Sequence, residues 1–159
     1  MKAAMKAWRG FWRLNGYARG LVLEAAAALA ATWLGLRLAG LQRWKAALAW
    51  FLPSATIPAG PIDPDLIHSA REVARLEQAA ARHLFFRANC LEQSLTLWWL
   101  LRRRGIEADL RVGARKEAER FEAHAWVEFR GVVLNDSAEH HLHFVPFDGP
   151  ITSPETLAP

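Results

Sequence analysis

The hydrophobic period of this chain changes at Gly105, and that change constrains its fold more than any other feature. Upstream, apolar residues recur at helical spacing. Downstream, they alternate with polar ones. Leu66, Ile67, Ala70, Val73, Ala74, Ala80, Ala81 and Leu84 mark one helix, ending near Phe85 and Phe86. A second is predicted from Cys90. Asn89 is a good N-cap and Glu92, three residues on, completes a capping box. Gly105 suits the C′ position, and Arg102, Arg103 and Arg104 fall in the last turn, where cations meet the helix dipole favourably. Between these ends, Leu91, Leu95, Leu97, Trp98, Trp99, Leu100 and Leu101 make the helix apolar on nearly every side, which predicts a central, buried element. Beyond Gly105, Ala108, Leu110 and Val112 alternate with Asp109, Arg111 and Gly113. After a polar loop, RKEAER, the residues Phe121, Ala123, Ala125, Val127 and Phe129 alternate with Glu122, His124, Trp126, Glu128 and Arg130. Arg130-Gly131 makes a turn, VVLND returns as a third strand, and HFVPFD offers another. Helices first and an antiparallel sheet afterwards define an α+β domain.

Ahead of this body, Leu21 to Trp50 reads as helical, with Gly35 and Gly40 as weak points and Gly40 as the candidate to separate two helices. LPSATIPAGPIDPDL then carries four of the eight prolines and reads as a linker. Asp63 as cap, Pro64 at the first helical position and Asp65 against the dipole start the next helix. The expected organisation is an N-terminal helical extension over residues 1–51, a Pro-rich linker over 52–62, a core over 63–150 and a tail over 151–159. The basic start followed by LVLEAAAALAATWLGLRLAGL imitates a signal peptide or membrane span. Glu24 and Arg37 interrupt it, however, leaving about 12 residues between them, half of them alanine, where a span needs roughly 20. An amphipathic helix of a soluble protein is the expectation. A membrane-surface helix is the rival, because Trp8, Phe11, Trp12 and several basic residues precede the run.

The 159 residues are 52% hydrophobic and 23% charged, the balance of a globular domain with a real core. The net charge of +4 is spread along the chain, and aromatic interleaving of the RNA-binding kind is absent, which argues against a nucleic-acid partner. One cysteine excludes an internal disulfide and cysteine-rich zinc sites, and it fits a reducing cytoplasm.

That single cysteine, Cys90, opens the buried helix instead of packing within it. A helix N-terminus presents unpaired N–H groups and positive potential, which favour thiolate over thiol and can hold an oxyanion. Asn89 is a second candidate oxyanion donor if the cap leaves it free. His124 lies within a strand and Asp136 at the end of the next. With a two-residue turn at Arg130-Gly131, Asp136 falls opposite Ala125, on the wrong face for His124. A three-residue loop with Gly131 left-handed pairs Glu128 with Val132 and sets His124 opposite Asp136, and this is the register expected. Trp126, Glu122 and Glu128 share the His124 face and could wall the site or contact substrate. His140, His141 and His143 read as an exposed loop and not as a metal centre, with no second cluster to support one.

CLEQSLTLWWLLRRRGIEADLRVGARK followed by AHAWVEFRGVVLND closely resembles the lasso-peptide leader peptidases, transglutaminase-like (papain-like) cysteine proteases of lasso peptide and microcin maturation in bacteria. The resemblance spans roughly Leu21 to Asp148 and is strongest from Cys90 to Asp136. It implies a thiol protease in which Cys90 is the nucleophile, His124 the general base and acid, and Asp136 the orienting carboxylate. Such an enzyme cleaves the leader from a ribosomally made precursor and frees the core N-terminus for macrolactam formation. It needs no metal or cofactor of its own; ATP is used by a partner cyclase of asparagine-synthetase type. The helical reading of the N-terminal residues implies the stand-alone format, in which a separate small protein binds the leader and the N-terminal helices serve as a docking surface. The alternatives are a non-catalytic scaffold that presents precursor to the cyclase, and a transglutaminase-like acyltransferase.

Overall fold

The computed structural model describes residues 11–52, 64–117, 120–137 and 140–147. Asp63, the prolines at 53, 58 and 61, and the C-terminal tail lie outside them. The helices that build the body are α1, Gly16–Trp50; α2, Pro64–Ala81; and α3, Cys90–Arg102. They are followed by β1, Asp109–Glu117; β2, Arg120–Phe129; β3, Val132–Val133; a 3-10 turn, His141–His143; and β4, Val145–Pro146. The four strands make one antiparallel sheet in the order β3-β2-β1-β4.

α3 is the axle of the domain. Leu95, Leu97, Leu100 and Leu101 are fully buried, and α3 touches α1, α2, β1 and β2. Its ends follow the sequence chemistry. The Asn89 side chain accepts from the Glu92 N–H at 2.9 Å, and the Glu92 carboxylate accepts from the Asn89 N–H at 2.8 Å. At the other end Gly105 takes φ 74°, a left-handed conformation that costs glycine little.

α1 joins this core directly. Leu21, Ala25 and Leu29 are buried in the same apolar cluster as α2 and α3. The helix breaks at Gly40 (φ 74°, ψ 171°), as the sequence indicates, and its last turns fold back. Trp44 then lies on Gly35 so closely that a Cβ there would stand 2.2 Å from the indole. By length and composition α1 could cross a membrane. The two charges that interrupt it are bound at the two ends of α3. Glu24 pairs with Arg103 and Arg104, and Arg37 pairs with the buried Glu92 at 2.8 Å. Thr96 also donates to Thr32 at 3.1 Å inside the interface.

The sheet departs from expectation in three places. The polar loop expected over 115–120 is mostly strand: β1 continues to Glu117 and β2 begins at Arg120, with Arg115 and Glu122 ion-paired across the ladder. The third strand is only Val132–Val133. The expected three-residue loop is replaced by a two-residue turn, with Phe129 paired to Val132 and Glu128 to Val133. Arg130 (φ 50°) and Gly131 (φ 78°) both take positive φ, the type I′ geometry whose twist matches the flanking strands. This register keeps Phe129 buried.

Glu77 of α2 is wholly buried, and neither carboxylate oxygen has a hydrogen-bond partner among the described residues. Burial pushes its pKa from 4.5 up to about 8, against the smaller opposing pull of Arg82. A carboxyl whose pKa is raised on folding binds more protons in the folded state, so its contribution falls as pH rises from 4.5 towards 8. Glu77→Gln is therefore expected to raise the thermal midpoint at pH near 8 by several degrees and to flatten stability against pH across that window. Thermal melts of both proteins across the window check it; a lower midpoint for the variant at pH near 8 contradicts it.

Candidate active site

Cys90 and His124 line one cavity of about 500 Å³. Its other walls are Leu41 just past the α1 break, Asn89 and Leu91 at the start of α3, Val112 of β1, Ala123 and Ala125 of β2, and Phe147. Cys90 is partly exposed there. The first-turn N–H groups of Cys90 and Leu91 are among those a helix leaves without an internal acceptor. Asn89 is held by the cap through Oδ1, so the backbone amides are the clearer oxyanion donors.

His124 meets Asp136 through Nε2, 2.8 Å from Oδ2. With the carboxylate accepting, the neutral ring carries its proton on Nε2, and Nδ1 becomes the basic nitrogen. The ring is wedged by its neighbours. Phe144 lies 5.0 Å away centroid to centroid, His140 4.8 Å away edge-on, and Trp126 stacks at 6.1 Å. Directly across the β1–β2 ladder from His124 is Gly113. A Cβ on Gly113 would stand 2.8 Å from the Val145 carbonyl oxygen, 3.0 Å from the Trp126 ring and 3.1 Å from Phe144. The glycine thus lets β4 and two aromatic rings close around the histidine.

In the observed register, strict alternation would carry Asp136 to the wrong face. It reaches His124 because the ladder stops one residue early. Leu134 N–H donates to the Val127 carbonyl at 3.0 Å, but Val127 N–H donates to the side-chain Oδ1 of Asn135 at 2.8 Å. The Asn135 side chain takes the place of a backbone carbonyl, the chain leaves the sheet, and Asp136 is freed from the pleat. Asn135 Nδ2 then donates to Ser94 Oγ at 2.8 Å, Ser94 donates to the Ala125 carbonyl at 2.9 Å, and Gln78 donates to the Asn135 carbonyl at 3.3 Å. Ser94 lies one helical turn beyond Cys90, Ala125 next to His124, and Asn135 next to Asp136. One network centred on the buried Ser94 therefore registers all three segments. The sequence reading missed it, although Ser94 stands in the Cys-Leu-x-x-Ser-Leu opening at a one-turn spacing that marks it.

Asp136 Oδ1 also accepts from the Ser137 N–H at 2.8 Å, and Oδ2 lies 3.2 Å from His140 Nδ1. Burial works against the carboxylate, but the Ser137 N–H, His140 and His124 together outweigh it and hold the Asp136 carboxyl below the ordinary aspartate value. His124, Asp136 and His140 bring three donor atoms within 4.8 Å of one another, and these atoms already hydrogen-bond through the shared carboxylate oxygen. Of the other residues singled out, Trp126 is buried and donates to Glu128 at 2.7 Å. Glu128 also pairs with Arg111, and Glu122 with Arg115. These ion pairs occupy both carboxylates, and neither lines the cavity.

A cysteine at the head of a buried helix, sharing a cavity with a histidine from an antiparallel sheet packed on that helix, defines the class of papain-like and transglutaminase-like folds. The chain belongs to the transglutaminase-like superfamily, whose family model matches residues 28–147. Members of that superfamily are typically cysteine proteases or acyltransferases. Comparison with curated proteins and with solved structures returned no match.

Ser94→Ala removes one donor and one acceptor from a buried network and leaves Asn135 Nδ2 without its partner. It is expected to cost about 1–3 kcal/mol of stability in denaturant unfolding. A loss within measurement error would show that Ser94 does not hold these segments together.

Proposed function

We propose that this protein is a cysteine peptidase that removes the leader from a ribosomally made lasso-peptide precursor. The observation that carries the peptidase reading is the shared cavity of Cys90 and His124, with Asp136 bound to the far nitrogen of the ring. The substrate class rests on the resemblance of the Cys90–Asp136 motifs.

The chemistry follows from the placement. Asp136 takes Nε2–H, which turns Nδ1 of His124 towards the role of base for Cys90. The Sγ thiolate attacks the carbonyl carbon at the leader–core junction, and the first-turn amides of α3 stabilise the oxyanion. Protonated His124 gives its proton to the leaving amine as the C–N bond breaks, leaving a thioester on Cys90. Water, deprotonated by His124, attacks the thioester, releasing the leader carboxylate and restoring the thiol. The freed amine is the N-terminus that an ATP-dependent, asparagine-synthetase-like cyclase would join to a core side chain. Residues 16–50 supply a core helix, and leader recognition is assigned in this reading to a separate small protein. A cytoplasmic setting fits the lone, partly exposed thiol.

The test is cleavage of a precursor peptide encoded beside this chain's gene, with its neighbouring leader-binding protein present, followed by intact mass. Hydrolysis is expected to give free leader and free core. Cys90→Ala should lower the rate by at least ~10³-fold while the fold is kept. Cleavage that survives Cys90→Ala would overturn the mechanism. A leader mass carrying an added amine would identify acyl transfer instead.

A further inference from the structure

We infer that His140 is a positioning residue for the His124–Asp136 pair, acting by holding the same carboxylate oxygen that meets the catalytic ring. The inference rests on the peptidase reading and adds to it a residue outside the three that perform the chemistry.

Three independent contacts place His140 there. Its Nδ1 lies 3.2 Å from Asp136 Oδ2, the same oxygen that His124 Nε2 meets at 2.8 Å. Its ring stands edge-on to His124, centroids 4.8 Å apart with planes at 86°. It also packs edge-on against Phe144 at 5.4 Å, and Phe144 in turn packs against His124. The backbone holds it in place: its N–H donates to Ser137 Oγ at 3.2 Å, and its carbonyl accepts from the His143 N–H at 3.2 Å as the 3-10 turn closes.

A carboxylate on a short side chain can swing about its last bond. Ser137 N–H fixes Oδ1 and His140 fixes Oδ2, so the face offered to His124 is set from both ends. Without His140, Oδ2 keeps only the bond to the ring it is meant to orient. Among the described residues, the titratable and charged groups near His140 are Asp136 beyond β3, His124 on β2, His141 and His143 on its own turn, and Arg115 of β1. Arg115 sits 5.0 Å over the Phe144 ring and pairs with Glu122. This role accounts for the first residue of the HHLH stretch, which the proposed function leaves unused.

Alkylation of Cys90 by iodoacetamide tests this without any peptide substrate, and the only cysteine in the chain makes intact mass unambiguous. The rate is measured across pH for wild type, His140→Ala and His140→Asn, with thermal midpoints alongside. Asparagine can place an amide donor near the position of Nδ1. Wild-type Cys90 should react faster than the cysteine of the denatured chain at about pH 6, where an ordinary thiol is protonated. His140→Ala should slow that reaction about 5-fold, the worth of one hydrogen bond, and move the profile towards that of a free thiol. His140→Asn should recover most of the rate, and in an Asp136→Asn background His140→Ala should add nothing. If wild type is activated but His140→Ala matches it at every pH, or if asparagine gives no recovery, the positioning role is overturned and the peptidase reading stands. If wild-type Cys90 reacts no faster than the denatured chain, both fall.

Discussion

The hydrogen bond from Asn135 to Ser94 is the constraint on which the site depends. Sheets oblige neighbouring side chains to alternate, and helices obey a different period, so side chains from α3, β2 and the chain beyond β3 have no common register of their own. Asn135 supplies one. Its side chain ends the β2–β3 ladder by capping Val127, and the same side chain reaches Ser94 on the helix. Ser94 in turn binds the carbonyl beside His124. Three segments that differ in geometry are tied at adjacent residues. Ser94 is wholly buried, where an unpaired hydroxyl or amide would be costly, so the network favours one arrangement strongly over looser ones.

The helical half serves the same end by a different means. α3 must be buried to be rigid, and burying an apolar helix needs elements on several sides. α1 covers one of them, and its apolar length would suit a lipid environment were its charges free. Instead Glu24 and Arg37 are matched to Arg103, Arg104 and Glu92. Glu92 thereby has two roles, closing the cap on Asn89 and receiving Arg37. The start of α3, and with it the direction of Cys90, is held from within the helix and from α1. The break at Gly40 also delivers Leu41 to the wall of the cavity. The segment read as an extension from sequence is, in the structure, one side of the core.

Most of the fold could be read from residue pattern because the signals were local. Asn89, Glu92 and Gly105 bound α3 through contacts of three or four residues, and alternation revealed β1 and β2. What could not be read depended on distant partners. Glu24 and Arg37 looked like interruptions of an apolar run because their partners on α3 are dozens of residues away. The hairpin is more instructive. Given strict alternation, only a three-residue loop could bring Asp136 to His124, so the pairing of residues was expected for the wrong reason. The chain instead keeps the tight turn and breaks the strand, using an asparagine side chain as a surrogate backbone group. Such a break has no period to betray it. Of the residues that share the His124 face, Glu122 and Glu128 are engaged in ion pairs, while Trp126 stacks beside the His124 ring.

The proposed chemistry requires Asp136 to accept from Nε2 of His124, which leaves Nδ1 for Cys90. Nitrogen-15 NMR of histidine-labelled protein reports the tautomer of each ring directly. Neutral His124 is expected to carry its proton on Nε2, this N–H should resonate far downfield because it meets a carboxylate, and the signal should be lost in Asp136→Asn. A neutral His124 protonated on Nδ1, unchanged by Asp136→Asn, would contradict it.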